Sequence, residues 1–363
     1  MPQEITDRVW TSTLLERQHL LGRVDEDVIE VLDRCVGVQS QDPRAPFPAL
    51  AARIDGFDPA DLDALLTDRT VVRMATLRGT VMLTDGEDAR WIRALAQPTL
   101  DAAARPHVRK LVSAGADDVV AAARELLSGA VIGGAELGSA LTERFPGENA
   151  GTLTTIARCA LPLVQVPPRG LFTGSGAPTY ALLDDWIGPG EPAVTGDEAR
   201  KDLIRLYLRG FGPASLAAIQ TWSGLTRLRP LLDAMDSDWE IEKLPGPDGV
   251  ELFDLDGLDR SDAGDFPVRL LAPFDHVVTA NADRRRVLDE DVFAALQTPN
   301  GQVPGMVLVD GRVVGTWSVG PDGRVTADLL RSVPRSRTRD LSDECDALTE
   351  FLRQGRQDVI AGR

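Results

Sequence analysis

Pro213-Ala214-Ser215-Leu216-Ala217-Ala218-Ile219-Gln220-Thr221-Trp222-Ser223-Gly224-Leu225-Thr226-Arg227 carries the reading of the fold. Pro213 to Leu216 open a helix that runs through Ile219 and Trp222, Ser223-Gly224 makes a turn, and residues 226–235 form the next helix. The β-prone segments 239–243 and 251–255 flank the turn Pro245-Gly246-Pro247-Asp248-Gly249. A helix, a glycine-containing turn, a second helix and a hairpin together describe a winged helix-turn-helix. One such match is weak evidence, because the same geometry is common in ordinary helical cores.

Working outward, two further copies appear. Asp58-Pro59-Ala60-Asp61 places an N-cap before proline at the first helical position and opens a helix through Leu62, Leu65 and Leu66. The β-prone runs 71–77 and 80–84 follow, broken at Arg78-Gly79. In the middle copy, 134–145 and 152–161 read as helices, then come a strand at 163–166, a turn at Pro167-Pro168-Arg169-Gly170 and a return strand at 171–173. Three copies in register predict a mainly α fold with β-hairpins (α+β), with winged-helix units at 1–97, 98–190 and 191–262. Residues 263–363 change character: β-prone 268–274, a hairpin of 305–309 and 312–317 around Asp310-Gly311, and an amphipathic helix over 340–360.

Composition bounds the function. At 363 residues, with 43% hydrophobic and 26% charged, the chain can bury a sizeable core. No apolar run approaches a membrane span and Met1-Pro2-Gln3-Glu4 does not read as a signal peptide, so the expectation is a cytoplasmic protein without membrane contact. Cys35, Cys159 and Cys345 are isolated and His19, His107 and His276 lie far apart, so neither a disulfide framework nor a metal site is suggested. A net charge of −17 argues against a generic nucleic-acid binder. Charge acts within a screening length of about 8–10 Å, however, so a local basic face can coexist with it. Basic clusters stand at 105–110, at Arg227 and Arg229, at Arg284-Arg285-Arg286 and over 331–339. Any one of them can equally be solvated surface.

The candidate chemistry lies in Val38-Gln39-Ser40-Gln41-Asp42-Pro43. These residues follow an apolar stretch (Val28, Ile29, Val31, Leu32, Val36), which predicts two primary amides at a helix end. Amides donate and accept hydrogen bonds without ionising, so they can hold a water without being strong bases. They can equally satisfy backbone groups at that helix end. Asp42 is the nearest carboxylate, either a rival base or a cap.

Several segments together resemble the AlkZ-like DNA glycosylases. They are Val36–Arg44 (36–44), Val72–Thr80 (72–80), 163–171, Phe211-Gly212-Pro213-Ala214-Ser215, Trp222–Arg229 (222–229), Ala282-Asp283-Arg284 and 307–317. The resemblance implies three tandem winged helices around a concave DNA-binding channel. It also implies a glycosylase acting on N-alkylated purines, bulky adducts and interstrand crosslinks included. Its catalytic motif is two glutamines around an apolar residue; Gln39 and Gln41 match the glutamines, and Ser40 departs from the apolar position. Many relatives carry histidine where this chain has Met82 and Asn281. Ser40, Met82 and Asn281 are therefore candidates for substrate contact, and His276, after Phe274-Asp275, is either a further one or a structural hydrogen-bonding residue.

Hydrolysis of an N-glycosidic bond needs a leaving base, a stabilised oxocarbenium-like sugar and a placed water. A purine alkylated at N7 or N3 is already cationic, so positioning and electrostatics can serve where a base would otherwise be needed. The expectation is a monofunctional glycosylase, with Gln41 as the main water-positioning residue and Gln39 supporting it. Arg44, Arg78, Arg169, Arg284, Arg285 and Arg286 are candidates for DNA contact. No cofactor or metal is implied; the partner is double-stranded DNA carrying alkylated purines, met by a monomer. The rival readings are a non-catalytic winged-helix transcriptional regulator and a binding module that has left DNA behind. Within the enzyme reading, the lysine-poor, Arg/Ala/Asp/Gly/Pro-rich composition is what a high-GC genome encodes, and together with the altered Ser40, Met82 and Asn281 it favours self-resistance to a DNA-alkylating natural product over general repair.

Overall fold

Caps and breakers set most element boundaries. The computed structural model describes residues 4–279, 281–297 and 301–361. It runs through α1 (Asp7–Arg17), α2 (Val28–Arg34), β1 (Val38–Gln39), α3 (Pro46–Ala51), α4 (Pro59–Thr67), β2 (Val71–Ala75) and β3 (Val81–Asp85). Next come α5 (Gly86–Val108), α6 (Ala116–Leu127), β4 (Ile132–Gly133), α7 (Gly134–Arg144), α8 (Ala150–Ala160), β5 (Leu163–Gln165), β6 (Thr179–Leu182) and α9 (Leu183–Ile187). The remainder is α10 (Gly196–Phe211), α11 (Leu216–Ser223), α12 (Arg229–Ser237), β7 (Ile241–Pro245), β8 (Glu251–Leu255), β9 (Arg269–Leu271), α13 (Glu290–Leu296), β10 (Gly305–Val309), β11 (Arg312–Val319), β12 (Val325–Leu329) and α14 (Thr338–Ala361). Met1 to Gln3, on which the leader expectation partly rests, lie outside the described residues. No helix among the described residues is long and apolar enough to cross a membrane.

The chain forms two compact units, one of Met1–Asp61 with Lys201–Arg363 and the other Leu62–Arg200. In the Leu62–Arg200 unit, β2 and β3 pair antiparallel from Val71↔Asp85 to Ala75↔Val81. Their turn holds Arg78 at φ 58°. The return strand of the second hairpin is β6, paired with β5 from Leu163↔Leu182 to Gln165↔Tyr180, and not 171–173. Those residues continue the turn instead: Leu171 N–H donates to the Pro168 carbonyl (3.2 Å) and Gly174 N–H to that of Leu171 (3.0 Å). The two hairpins do not stand apart. Met74 pairs with Val164, so the strands run β3-β2-β5-β6-β4 in one sheet. Val72, Met74, Ala89, Val164, Val166, Ala181 and Leu183 form the core against it.

The sequence reading missed α5, which contains Pro98 and Pro106. Proline inside a helix removes a hydrogen bond and typically costs about 3 kcal/mol. Ala89, Ile92, Ala96, Leu100 and Ala104 nevertheless recur at helical spacing and are all buried, and that burial offsets the cost. Arg93 on this helix donates to the carbonyls of Cys159 (2.8 Å) and Leu161 (3.2 Å), which closes the end of α8.

In the other unit, α11 is capped by Ser215 and not by Pro213: the Ser215 hydroxyl accepts from Ala218 N–H (3.1 Å) and itself donates to Asp283 (2.7 Å). Gly224 ends the helix at φ 73°, the left-handed conformation glycine adopts without penalty. α12 begins at Arg229 rather than 226, because Arg227 is itself left-handed (φ 60°) and Pro230 opens the first turn. Tyr207, Phe211 and Trp222 stack within 4.9–5.9 Å at the centre. The closing sheet has the order β12-β11-β10-β9, with a bulge between Val307 and Leu308.

Arg286 belongs to this core and is corrected here as a DNA-binding candidate. It is 2% exposed and donates to the carbonyls of Trp10 (3.1 Å), Phe211 (2.7 Å) and Pro213 (3.2 Å). Burial pushes its pKa down to about 9, with Asp283 opposing. Arg286→Leu would remove the donor to the buried Phe211 carbonyl, while Pro213 keeps the Trp10 indole N–H (2.7 Å), and should lower stability by about 1–3 kcal/mol, read as a lower urea midpoint. The salt dependence of DNA binding should not change, whereas a phosphate contact would lower its slope.

Candidate functional site

The glutamine segment owes its path to the way α2 ends. Asp27 and Glu30 form a capping box at its start. At its end, Gly37 N–H donates to the Leu32 carbonyl (2.7 Å) and Val36 N–H to that of Asp33 (3.0 Å), a Schellman arrangement. Val36 occupies the left-handed position (φ 55°) that glycine usually fills, and Gly37 follows at φ 80°. The chain therefore leaves the helix before the glutamines. Gln39 lies on the short strand β1 and Gln41 in the bend after it, so neither caps a helix end.

Gln39 is 8% exposed, Ser40 is fully buried and Gln41 is exposed. Asp42 is also exposed; its Oδ1 accepts Arg44 N–H (2.9 Å), and its carbonyl accepts Ala45 N–H (3.1 Å). That carboxylate shapes the turn into α3.

Behind Gln39 lies a cavity of about 10 Å³, the scale of a single water molecule. Its polar lining comes from Gln18, Cys35, Gln39, Arg53, Asp275 and His276. Arg53, 2% exposed, forks onto both oxygens of Asp275 (2.9 and 3.0 Å) and donates to the Ala49 carbonyl (3.0 Å) and Gln18 Oε1 (3.4 Å). Burial disfavours the charge on Arg53, but Asp275 more than offsets it and the guanidinium stays protonated. Gln18 Nε2 donates to the Gly210 carbonyl (2.8 Å). Asp275 Oδ1 also accepts Val277 N–H (3.1 Å), and its carbonyl accepts Thr279 N–H (2.9 Å). The Arg53–Asp275 pair thus fixes the loop that carries His276, whose ring meets Trp222 edge-on at 6.3 Å. Burial raises the Cys35 pKa, leaving it a thiol at neutral pH.

The structure brings Gln39 and His276 to one cavity. Asn281, 2% exposed, donates to the Val277 carbonyl (3.2 Å) and accepts Asp283 N–H (2.9 Å). It is a turn-forming residue, which corrects the expectation of substrate contact. Met82 is corrected likewise: 2% exposed, it faces Met74 across the β2–β3 ladder. Arg284 donates to the Asn281 carbonyl (2.9 Å) and lies over Phe293, and Arg285 pairs with Asp248 (2.5 Å). Arg44 is exposed and in no ion pair among the described residues. In the Leu62–Arg200 unit, Arg78 is half-buried at its turn, and Arg169 donates to the Gly176 carbonyl (2.7 Å) within its own loop. Gln18, Arg53 and Asp275 escaped the sequence reading. A single arginine after an apolar helix and a lone aspartate far along the chain give no signal that they meet.

Two measurements probe this arrangement. Arg53→Met leaves Asp275 buried without its cation, which should destabilise the fold by about 3–5 kcal/mol; an unchanged urea midpoint would remove the pair from this role. His19, next to Gln18, has its pKa pushed down to about 4 by burial, with Arg34 and Arg53 adding to the shift. The unfolded chain binds that proton more readily, so the stability is full above pH 6.5 and is lost as pH falls toward 4. His19→Gln should flatten this part of the stability–pH curve.

Comparison with known proteins places this geometry in a family. The family model described as "DNA glycosylase AlkZ-like" matches residues 32–351, a span that contains both glutamines and the Arg53–Asp275 pair. The chain is 24% identical over 335 residues to an "Interstrand DNA cross-link repair glycosylase" of Streptomyces sahachiroi, covering 84% of this chain and 85% of that protein. It is similar in fold to the solved structure of "Streptomyces sahachiroi DNA glycosylase AlkZ", with a TM-score of 0.76 at 21% identity over 96% of this chain and 97% of the other. The chain belongs to the AlkZ-like DNA glycosylase family.

Proposed function

We propose that this DNA glycosylase hydrolyses the N-glycosidic bond of cationic N7- or N3-alkylated purines in duplex DNA, with Gln41 placing the attacking water and Gln39 supporting it. The observation that carries this reading is the exposed Gln41 beside the buried Gln39, with the Asp275 carboxylate that lines Gln39's cavity held by Arg53 through both oxygens. Exposed Asp42 accepts one backbone N–H through Oδ1, in the turn into α3. Amides suit a leaving group that already carries positive charge. Their carbonyl dipoles orient water and face the developing oxocarbenium ion, while the general-base contribution of about 10²–10⁴-fold is forgone.

The Streptomyces relative named for cross-link repair supports a bulky or crosslinking adduct as the substrate. We place the enzyme in the more specialised role of self-resistance to a DNA-alkylating natural product, on the altered Ser40 within the motif and a composition of the kind a high-GC genome encodes. With Met82 and Asn281 buried in structural roles, Ser40 is the departure from the family pattern that touches the motif directly. A panel of N7-guanine adducts of increasing size decides between the roles. A self-resistance enzyme releases the bulky adducts at least as fast as N7-methylguanine, whereas a general repair enzyme favours the small lesion.

Gln41→Ala should slow base release from an N7-alkylguanine duplex by about 10²-fold or more under single-turnover conditions, the scale seen for loss of one positioned polar group. The reading is wrong if alkali-revealed strand breaks form at the wild-type rate. Because amides do not titrate, the rate per folded enzyme should be flat between pH 6 and 8. An acid limb that disappears in Asp42→Asn would make Asp42 the base instead.

A further inference from the structure

Four basic clusters stand out in the sequence, and the fold pairs or buries cations in three of them, leaving Arg227 and Arg335 exposed and in no ion pair among the described residues. Arg229 pairs with Glu251 and Asp233. Arg284, Arg285 and Arg286 are held by a carbonyl, a carboxylate and the core, respectively. Over 331–339, Arg331 pairs with Asp291, Arg337 with Asp265 and Asp310, and Arg339 with Asp343. In the fourth cluster none of the cations Arg105, Arg109 and Lys110 is in an ion pair among the described residues, and all three are exposed.

They sit at the end of α5 and in the turn beyond it, and that turn is firmly built. Arg109 N–H donates to the Arg105 carbonyl (3.1 Å) and Lys110 N–H to that of His107 (2.9 Å). Glu148, 6% exposed, then gathers the next three backbone N–H groups: Val112 (2.9 Å), Ser113 (2.7 Å) and Ala114 (2.9 Å). Those bonds hold its carboxyl below the usual range. Val112 at the tip is 80% exposed. The result is a fixed knuckle with three free cations and two exposed apolar side chains, Val108 and Val112, on a chain of net charge −17. The helix dipole favours cations at a helix end. It does not explain a locked turn that presents an apolar tip beside them.

We propose that the 105–112 knuckle is a phosphate-contacting surface by which the Leu62–Arg200 unit holds duplex DNA, resting on the reading that the substrate is a duplex. Screening confines the repulsion of the acidic surface to about 8–10 Å, so unpaired local cations are what a phosphate meets on close approach. Each contact made releases counterions and adds about 0.9 to the salt slope of binding.

The test uses the full chain with Arg105, Arg109 and Lys110 together changed to Ala, and an undamaged duplex oligonucleotide titrated over a range of KCl by fluorescence anisotropy. The slope of log K against log salt should become shallower by about 2–3, with affinity at least about tenfold weaker near 100 mM salt. The melting temperature should stay at the wild-type value. An unchanged slope overturns the proposal, and so does a lowered melting temperature with an unchanged slope, since that is the signature of dipole stabilisation alone. Wild-type binding to phosphatidylserine vesicles that the triple variant loses, with DNA binding unaltered, assigns the knuckle to a membrane and also overturns it. Binding to undamaged duplex does not require base release. A shallower slope in a protein that releases no base therefore supports the knuckle and sinks only the chemistry proposed for the glutamines.

Discussion

Buried guanidinium groups are the constraint on which the Met1–Asp61 and Lys201–Arg363 unit depends. Arg17 forks onto Asp254, itself fully buried, Arg53 forks onto Asp275, and Arg286 ties Trp10 to the Phe211 and Pro213 carbonyls. An arginine presents five donors in a fixed plane and keeps its proton, so one side chain can fasten several chain segments at once. The same commitment is what makes each one costly to remove, because the partners left behind are buried. In this chain arginine far outnumbers lysine, which occurs only at 110, 201 and 243. Much of its positive charge therefore works inside the fold, and a count of basic residues says little about where DNA is held.

That division explains which parts of the protein were legible beforehand. The hairpin strand Glu251–Leu255, the Asp310-Gly311 turn and the Gly224 helix end follow from short-range chemistry and stand where the sequence puts them. The Pro-containing α5 was hidden because proline punctuates by local rule, whereas here burial along the helix decides. Gln39 and Gln41 were recognisable as a pair, but their setting was misread, since Val36 takes a left-handed conformation that a β-branched residue rarely adopts. Arg286, Asn281 and Met82 looked available because nothing in the linear chain reports burial.

The site inherits its character from these long-range ties. Arg53 and Asp275 come from positions far apart in the chain, and their meeting sets the wall that Gln39 and His276 share. The Asp275 carboxylate that lines the cavity with Gln39 is therefore already occupied by Arg53, and the proposed chemistry of the motif is that of neutral dipoles. A preorganised dipole is effective because it does not need to reorient as charge develops. The fixed loop at 275–279 and the anchored strand supply that rigidity.

The pairing of Met74 with Val164 has a consequence for how the protein can be divided. The sequence repeats a helix–helix–hairpin unit, which invites the idea of modules that could be separated or exchanged. The first two hairpins nonetheless share one ladder, so separating them at 97/98 would strip β2 of its neighbour and leave a bare strand edge open to aggregation. Repetition in the sequence and cooperativity in the fold thus have different grain. The shared ladder makes the two hairpins of the Leu62–Arg200 unit one structural piece.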